Sequence, residues 1–190
     1  MPTMKERVRF NFRRLYASYP RSVVVATSYD GDRKTALSLV WHTPLSFTPP
    51  IYAISVSPRR FSHDVILRAL TFAVHFFPYD RAPIVEKIGT VSGREVDKFS
   101  DFPLNHFMSP LQNPIIEGAY LVLDCEYLDH LLVGDHTLIW GEVKRIYYDP
   151  HYVEPSEDGG MDLKLMEPVL YLGRGKYATV NPSSVKKLRE

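Results

Sequence analysis

The sequence predicts a mainly β protein with short helices: a closed antiparallel β-barrel carrying helical insertions. Six or seven short segments of strand character recur along the chain, separated by turn residues, which is the spacing of an all-β barrel. Fifteen prolines in 190 residues cut the chain into short elements with rigid turns. The strands do not alternate with long helices, so a parallel doubly wound sheet is not expected.

Length and charge bound the rest. A chain of 190 residues suits one domain over 1–190, and at this size about 70% of the unfolded surface can be buried. The 23 Lys and Arg against 22 Asp and Glu leave a formal charge of +1, which argues against a nucleic-acid partner. The single cysteine, Cys125, excludes an internal disulfide framework and a Cys-rich zinc module, and suits a reducing compartment. No apolar run approaches the roughly 18 residues of a membrane span. The start, MPTMKERVRFNFRR, has no apolar signal core, so the expectation is a cytoplasmic protein.

Taken in order, residues 4–18 present Val8, Phe12, Leu15 and Tyr16 at helical spacing, and Pro20 ends that helix. Ser22–Ser28 (SVVVATS) is a β-branched strand, followed by a turn at Asp30-Gly31. Thr35–Ser46 reads as one extended segment ended by Pro49-Pro50, and Ile51–Ser57 as the next strand. Ser62–Leu70 is helical, with Ser62 as N-cap and Asp64 in the first turn. Thr71–Phe77 (TFAVHFF) is a strand. Residues 80–102 read as two short helices broken at Gly89 and at Ser92-Gly93, and 103–118 as loop. Ala119–Tyr148 is a long hairpin turning at Gly134-Asp135; 149–168 is an acidic loop, and Val169–Gly173 a last short strand before a frayed tail.

The stretch SVSPRRFSHDVI, Ser55–Ile66, carries the most chemistry. A strand ends at Ser57, two arginines follow, and a helix begins. Free amides at a helix start favour an anion, and the planar fork of Arg59 or Arg60 suits phosphate oxygens. The plainer alternative is a helix start with two solvated arginines. KTALSLVWHTPLSFTPP, Lys34–Pro50, offers hydroxyls and aromatics that would line a planar ring, or simply core. Asp135-His136 occupies the hairpin turn. Asp129, His130, Asp135 and His136 raise the question of a metal, but no HxH or HExxH spacing exists and none is expected.

These stretches, in this order, resemble the flavin reductase-like family, the FMN-binding split barrels that include flavoredoxins. TALSLVWHTPLSFTPP stands in register with the family's NAMTASWxTPVSFDPP, and SPRRFSHDVI with SPxRxTxxxI. FAVHFF is similar to FVVN, SGREVDKF to the family's own block, and LDCEY with VGDHTLIWGEV to LECxV and GDHxxFxGEV. The resemblance runs over roughly residues 18–177 and implies a split β-barrel. It implies that Leu37, Ser38, Leu39, Val40 and Trp41 pass along the isoalloxazine, offering mainly backbone groups. It implies that Ser57, Arg60 and Ser62 hold the ribityl phosphate, with Arg59 as helper, and that Lys98 adds charge near the flavin from a partner subunit. His136 falls where the family places a histidine near flavin and nicotinamide. Family members are typically homodimers, and the implied activity is reduction of FMN by NADH or NADPH, with electrons passed to a redox partner protein or other acceptor. The alternative is a noncatalytic flavoredoxin-type electron carrier. Haem or pyridoxal phosphate on a related barrel also stays open, since a phosphate pocket does not name the ring above it. The chain departs from the pattern at Thr35 for Asn, at Leu39-Val40 for Ala-Ser, and at His75 for the Asn of FVVN, where His75 either faces the flavin or is a satisfied core residue.

Overall fold

The computed structural model of the chain describes residues 16–156, 161–164, 167–186 and 188. Most of the helix expected over 4–18 lies outside the described residues; its end, Tyr16–Ser18, is a single 3-10 turn. A two-residue strand, β1 (Arg21–Ser22), leads into β2 (Val24–Tyr29). This run is apolar residue after residue because both faces are buried: Val24 and Ala26 belong to one core cluster, Val23 and Val25 to another. Asp30 makes the turn, its Oδ1 accepting from the N–H of Asp32 (3.1 Å) and Arg33 (2.8 Å), with Gly31 at φ +93°.

β3 (Lys34–Leu39) pairs back on β2. The segment expected to run unbroken over Thr35–Ser46 bends at Val40–Trp41 and continues as β4 (His42–Phe47), which pairs with β5 (Pro50–Val56). α1 (Phe61–Ala69) follows. Its N-cap is Arg60, which makes no side-chain cap bond. Ser62, expected as the cap, lies inside the first turn with its Oγ 2.6 Å from Thr35 Oγ1. Next come β6 (Thr71–Phe76), α2 (Ala82–Thr90) and α3 (Lys98–Asp101), the last capped by Asp97, which accepts from the Phe99 N–H. Gly89 does not break the helix; it sits within α2, where a Cβ would stand 3.3 Å from Ser38 Cβ.

The loop expected over 103–118 contains a ribbon of β7 (His106–Met108) and β8 (Pro114–Ile116). β9 (Leu121–Val133) and β10 (His136–Tyr148) form the long hairpin, which turns at Gly134 and Asp135 as expected. β10 shifts register at Gly141, where a Cβ would lie 2.5 Å from the Glu126 carbonyl oxygen, so glycine admits the bulge. A second small ribbon, β11 (Val153–Pro155) with β12 (Met161–Leu163), falls where loop was expected. β13 (Leu170–Gly173) and β14 (Lys176–Ala178) end the strand list, and β13 also pairs with β1.

The main sheet has seven strands in the order β3-β2-β6-β9-β10-β5-β4, every pair antiparallel. Its two edge strands, β3 and β4, are separated in sequence only by Val40 and Trp41, so the sheet must curl until its ends meet at that corner. The expected closed barrel is nevertheless not formed, because no ladder joins β3 to β4. Helices hold the β3 edge instead: Ala36 O accepts from Lys98 Nζ at 2.9 Å, and Ser38 Oγ donates to Val85 O at 2.5 Å. On the other edge β4 carries Pro44, which has no N–H to give, and loses register there. One core cluster, with Ile54, Phe72, Val74, Cys125 and Ile139, fills the curl; a second, with Val85, Ile88 and Phe102, joins α2 to the outer face; and a small third joins Ala73, Ile115 and Val122. No helix among the described residues is long and apolar enough to cross a membrane.

Candidate flavin site

The corner where the sheet fails to close is a cleft of about 530 Å³. One side is the bend itself, Leu37, Ser38, Leu39, Val40 and Trp41; the floor is the end of β5 with Ser57, Arg59 and Arg60; and His136 comes from the tip of the long hairpin. The bend is fixed by the backbone, since Ser55 N–H donates to Trp41 O at 2.8 Å. The hairpin tip is tied to α1 by His63, whose Nε2 lies 2.9 Å from Thr137 Oγ1. The His136 ring packs on Trp41 with centroids 4.7 Å apart, and its Nδ1 is 2.8 Å from the Asp135 carboxylate, which leaves Nε2 for a ligand.

A smaller cavity of about 80 Å³ opens beside the cleft and shares Leu37, Arg59 and Arg60 with it. Ser62, Arg94 and Lys98 complete its polar lining. Three sources of positive charge point there. The Arg60 carbonyl takes the His63 N–H (3.1 Å), but the amides ahead of it in α1 have no intrahelical acceptor and the Arg60 side chain does not cap them. Arg60 is held at the helix start by its own N–H bond to Ser57 O (2.9 Å). Lys98 is buried and donates to Ala36 O (2.9 Å) and Ile88 O (2.6 Å), which leaves one of its three ammonium protons. Burial, and the Arg60 guanidinium beside it, pull the Lys98 pKa down to about 8. Among the described residues no carboxylate pairs with Arg59, Arg60 or Lys98. Two cations side by side with no counter-charge are a site that an anion completes, and a flavin's terminal phosphate fits that chemistry.

The structure therefore brings together Leu37, Ser38, Leu39, Val40, Trp41, Ser57, Arg59, Arg60 and His136 in the cleft, with Ser62 and Lys98 in the adjoining cavity. Lys98 reaches this cavity from its own chain. His75 is not brought to it. That residue is fully buried on β6, its Nδ1 bonded to Val25 O (3.0 Å) and its Nε2 accepting from Ile116 N–H (3.0 Å). Burial lowers its pKa to about 4, so it is a neutral core residue whose ring nitrogens are both used. Tyr16, Tyr19 and Tyr171 also line the cleft and were not singled out from the sequence, since they come from two distant segments with no motif. The acid–histidine group around the hairpin does not gather: His130 Nδ1 takes the Tyr127 hydroxyl at 2.6 Å while His136 takes Asp135.

Comparisons with known proteins bear on the fold and the family. An FMN-binding protein from Thermus thermophilus, solved with bound 1-cyclohex-2-enone, superposes with a TM-score of 0.86 at 31% identity, covering 97% of this chain and 99% of that one. An uncharacterized protein of Aeropyrum pernix is 30% identical over 161 residues; the match takes in 82% of this chain but only 59% of that protein. A flavin reductase of Pseudomonas putida is 28% identical over 151 residues, 79% of this chain and 82% of its own length. The family described as "Flavin reductase like domain" matches residues 16–180, nearly the whole of the described fold, and the chain belongs to that family.

Proposed function

We propose that the chain binds FMN without a covalent bond and acts as an NAD(P)H:flavin oxidoreductase. The observation that carries this reading is the Arg60–Lys98 pair, with no carboxylate paired to it among the described residues, at the start of α1 and beside a cleft wide enough for a ring system. The cavity of about 80 Å³ has the size and charge to take a phosphate group.

When bound, the flavin supplies the redox chemistry, taking a hydride from NADH or NADPH and passing two electrons to an acceptor. The protein's part is placement. Arg60, Lys98, Ser62 and the α1 amides hold the phosphate; Arg59 adds long-range charge. The bend Leu37–Trp41 lies along the ring and offers backbone groups, because Leu39 and Val40 carry no polar side chain and Ser38 spends its hydroxyl on Val85 O. Asp135 holds His136 through Nδ1, so Nε2 is presented to the nicotinamide carboxamide. No strong base is needed for hydride transfer, and the Asp135–His136 pair in the cleft lining is read as orienting the nicotinamide rather than removing a proton.

The hairpin tip exposes Leu131, Leu132 and Val133 at 58%, 63% and 57%, an apolar edge next to His136 that supports a homodimer. Electron delivery to a separate redox protein or small acceptor completes the reading. Anaerobic mixing of FMN-loaded protein with NADH or NADPH tests it: the visible flavin band bleaches within seconds. A flavin that stays oxidised with both nucleotides would remove the reductase activity.

A further inference from the structure

We propose that Tyr16, Tyr19 and Tyr171 form a second subsite of the cleft, for a planar aromatic compound bearing an anionic oxygen, a phenolate or an aromatic carboxylate. It rests on the flavin reading, because it leaves Leu37–Trp41 and the Arg60 cavity to the flavin and assigns the remaining lining.

That lining is built. Tyr16 sits in the 3-10 turn, Tyr19 just after it, and Tyr171 on β13, yet their rings form one chain. Tyr16 and Tyr19 are 5.5 Å apart at 61°, and Tyr19 and Tyr171 are 6.1 Å apart at 50°. A further tyrosine, Tyr177, backs Tyr171 at 5.2 Å. Gly173 is what lets Tyr16 lie there, since a Cβ at that position would overlap the Tyr16 ring. The hairpin turn Gly173-Arg174-Gly175 has φ of 93°, 56° and 69°, so a non-glycine residue is held in the left-handed region. Such a conformation is unfavourable for a side-chain-bearing residue and persists only where its surroundings impose it. What it achieves is placement of the Arg174 guanidinium 5.9 Å from the Tyr16 ring centre, while Arg21 stands 5.8 Å from that of Tyr19.

The chemistry of the ligand follows. Rings set edge-to-face and tilted to one another present faces and edges on which a flat ring packs favourably. The Tyr171 hydroxyl accepts the Gly175 N–H (3.3 Å) and keeps its proton to donate to an oxygen. Once a flavin phosphate neutralises the Arg60 end, Arg21 and Arg174 remain as positive charge at this end. The one carboxylate among the described lining residues, Asp135, is engaged with His136. An aromatic anion matches all three features; a neutral aliphatic molecule matches none.

The test is calorimetric titration of FMN-loaded protein with 4-hydroxybenzoate and with its neutral isostere 4-hydroxybenzamide. Wild type takes up one 4-hydroxybenzoate per chain. Tyr171→Leu and Tyr16→Leu each weaken both compounds about fivefold to tenfold. Arg174→Gln, an exposed change, weakens 4-hydroxybenzoate about threefold and leaves 4-hydroxybenzamide alone. No uptake by wild type, or equal affinities across wild type and the three variants, overturns the subsite. If FMN itself does not load, the flavin reading falls, and the same titrations on the unloaded protein still decide the tyrosine wall by whether the variants differ from wild type.

Discussion

Two polar clusters are built into the same sheet, and they spend their hydrogen bonds in opposite ways. Between β6, β9 and the 109–116 segment, each group answers another. His75 joins Val25 O to Ile116 N–H, Asn113 Nδ2 donates to Asp124 Oδ1 (2.8 Å), Thr71 Oγ1 donates to Asn113 Oδ1 (3.1 Å), and Thr27 Oγ1 donates to Pro114 O (2.7 Å). The remaining carboxyl oxygen, Asp124 Oδ2, has no partner, and burial accordingly raises that group's pKa. This cluster is a clamp that fastens an irregular segment to the sheet. At the β3–β4 corner the donors outnumber the acceptors instead: open amides, Arg60, and a Lys98 with a proton to spare. Surplus donors with no carboxylate paired to them among the described residues distinguish this corner from a structural network, even when both contain a titratable residue in a family-like motif.

The comparison breaks first at His75. His75→Ala leaves Val25 O and Ile116 N–H unpaired and a cavity behind, and should cost about 3–4 kcal/mol in urea unfolding. The wild type carries a related pH signature. A pKa of about 4 in the fold against 6.5 unfolded means the unfolded chain takes the proton first. Stability therefore falls as pH drops from 6.5 toward 4, by about 3 kcal/mol, read from melts at each pH. Next, Arg60→Ala should weaken FMN by about 30- to 100-fold while riboflavin, which lacks the phosphate, is unaffected; equal losses for the two would refute the phosphate assignment. Lys98 sharpens the contrast through pH. Its folded pKa of about 8 lies below the 10.5 of the free side chain, so the unliganded protein gains stability between pH 8 and 10.5. FMN affinity runs the other way. A phosphate favours the charged lysine, so binding falls about tenfold per unit above pH 8, and Lys98→Met removes that slope. The smallest effect is His136→Ala, expected to slow flavin reduction about tenfold in stopped flow while leaving FMN affinity within about twofold.

How far these contrasts were legible in the sequence depended on whether the signal was local. The turns at Asp30-Gly31 and Gly134-Asp135, the strand SVVVATS and the helix after Arg60 rest on neighbouring residues and stand where expected, within a residue or two. The corner at Val40–Trp41 was missed because nothing in LSLVWHT breaks an extended chain; the bend is imposed by pairing of β4 with β5 and by Ser55 N–H on Trp41 O. The open barrel edge was hidden for the same reason, since it is decided by Lys98 and α2 covering β3 from more than forty residues away. In the site, Arg60 and Ser57 follow from a strand-to-helix pattern. Ser62 misled, because a hydroxyl beside a helix start reads as a cap until Thr35 is seen to hold it. His75 misled because motif position says nothing about which way a strand residue faces, and its two backbone partners are remote in sequence. Tyr171 is brought to Tyr16 and Tyr19 only by tertiary structure.

The most direct measurement is a pair of calorimetric titrations of the unliganded protein, one with FMN and one with riboflavin, at low ionic strength near pH 7. If the Arg60–Lys98 corner is a phosphate grip, FMN binds with one site per chain and at least about 30-fold more tightly than riboflavin. Equal affinities for the two, or no heat from FMN at all, would contradict it.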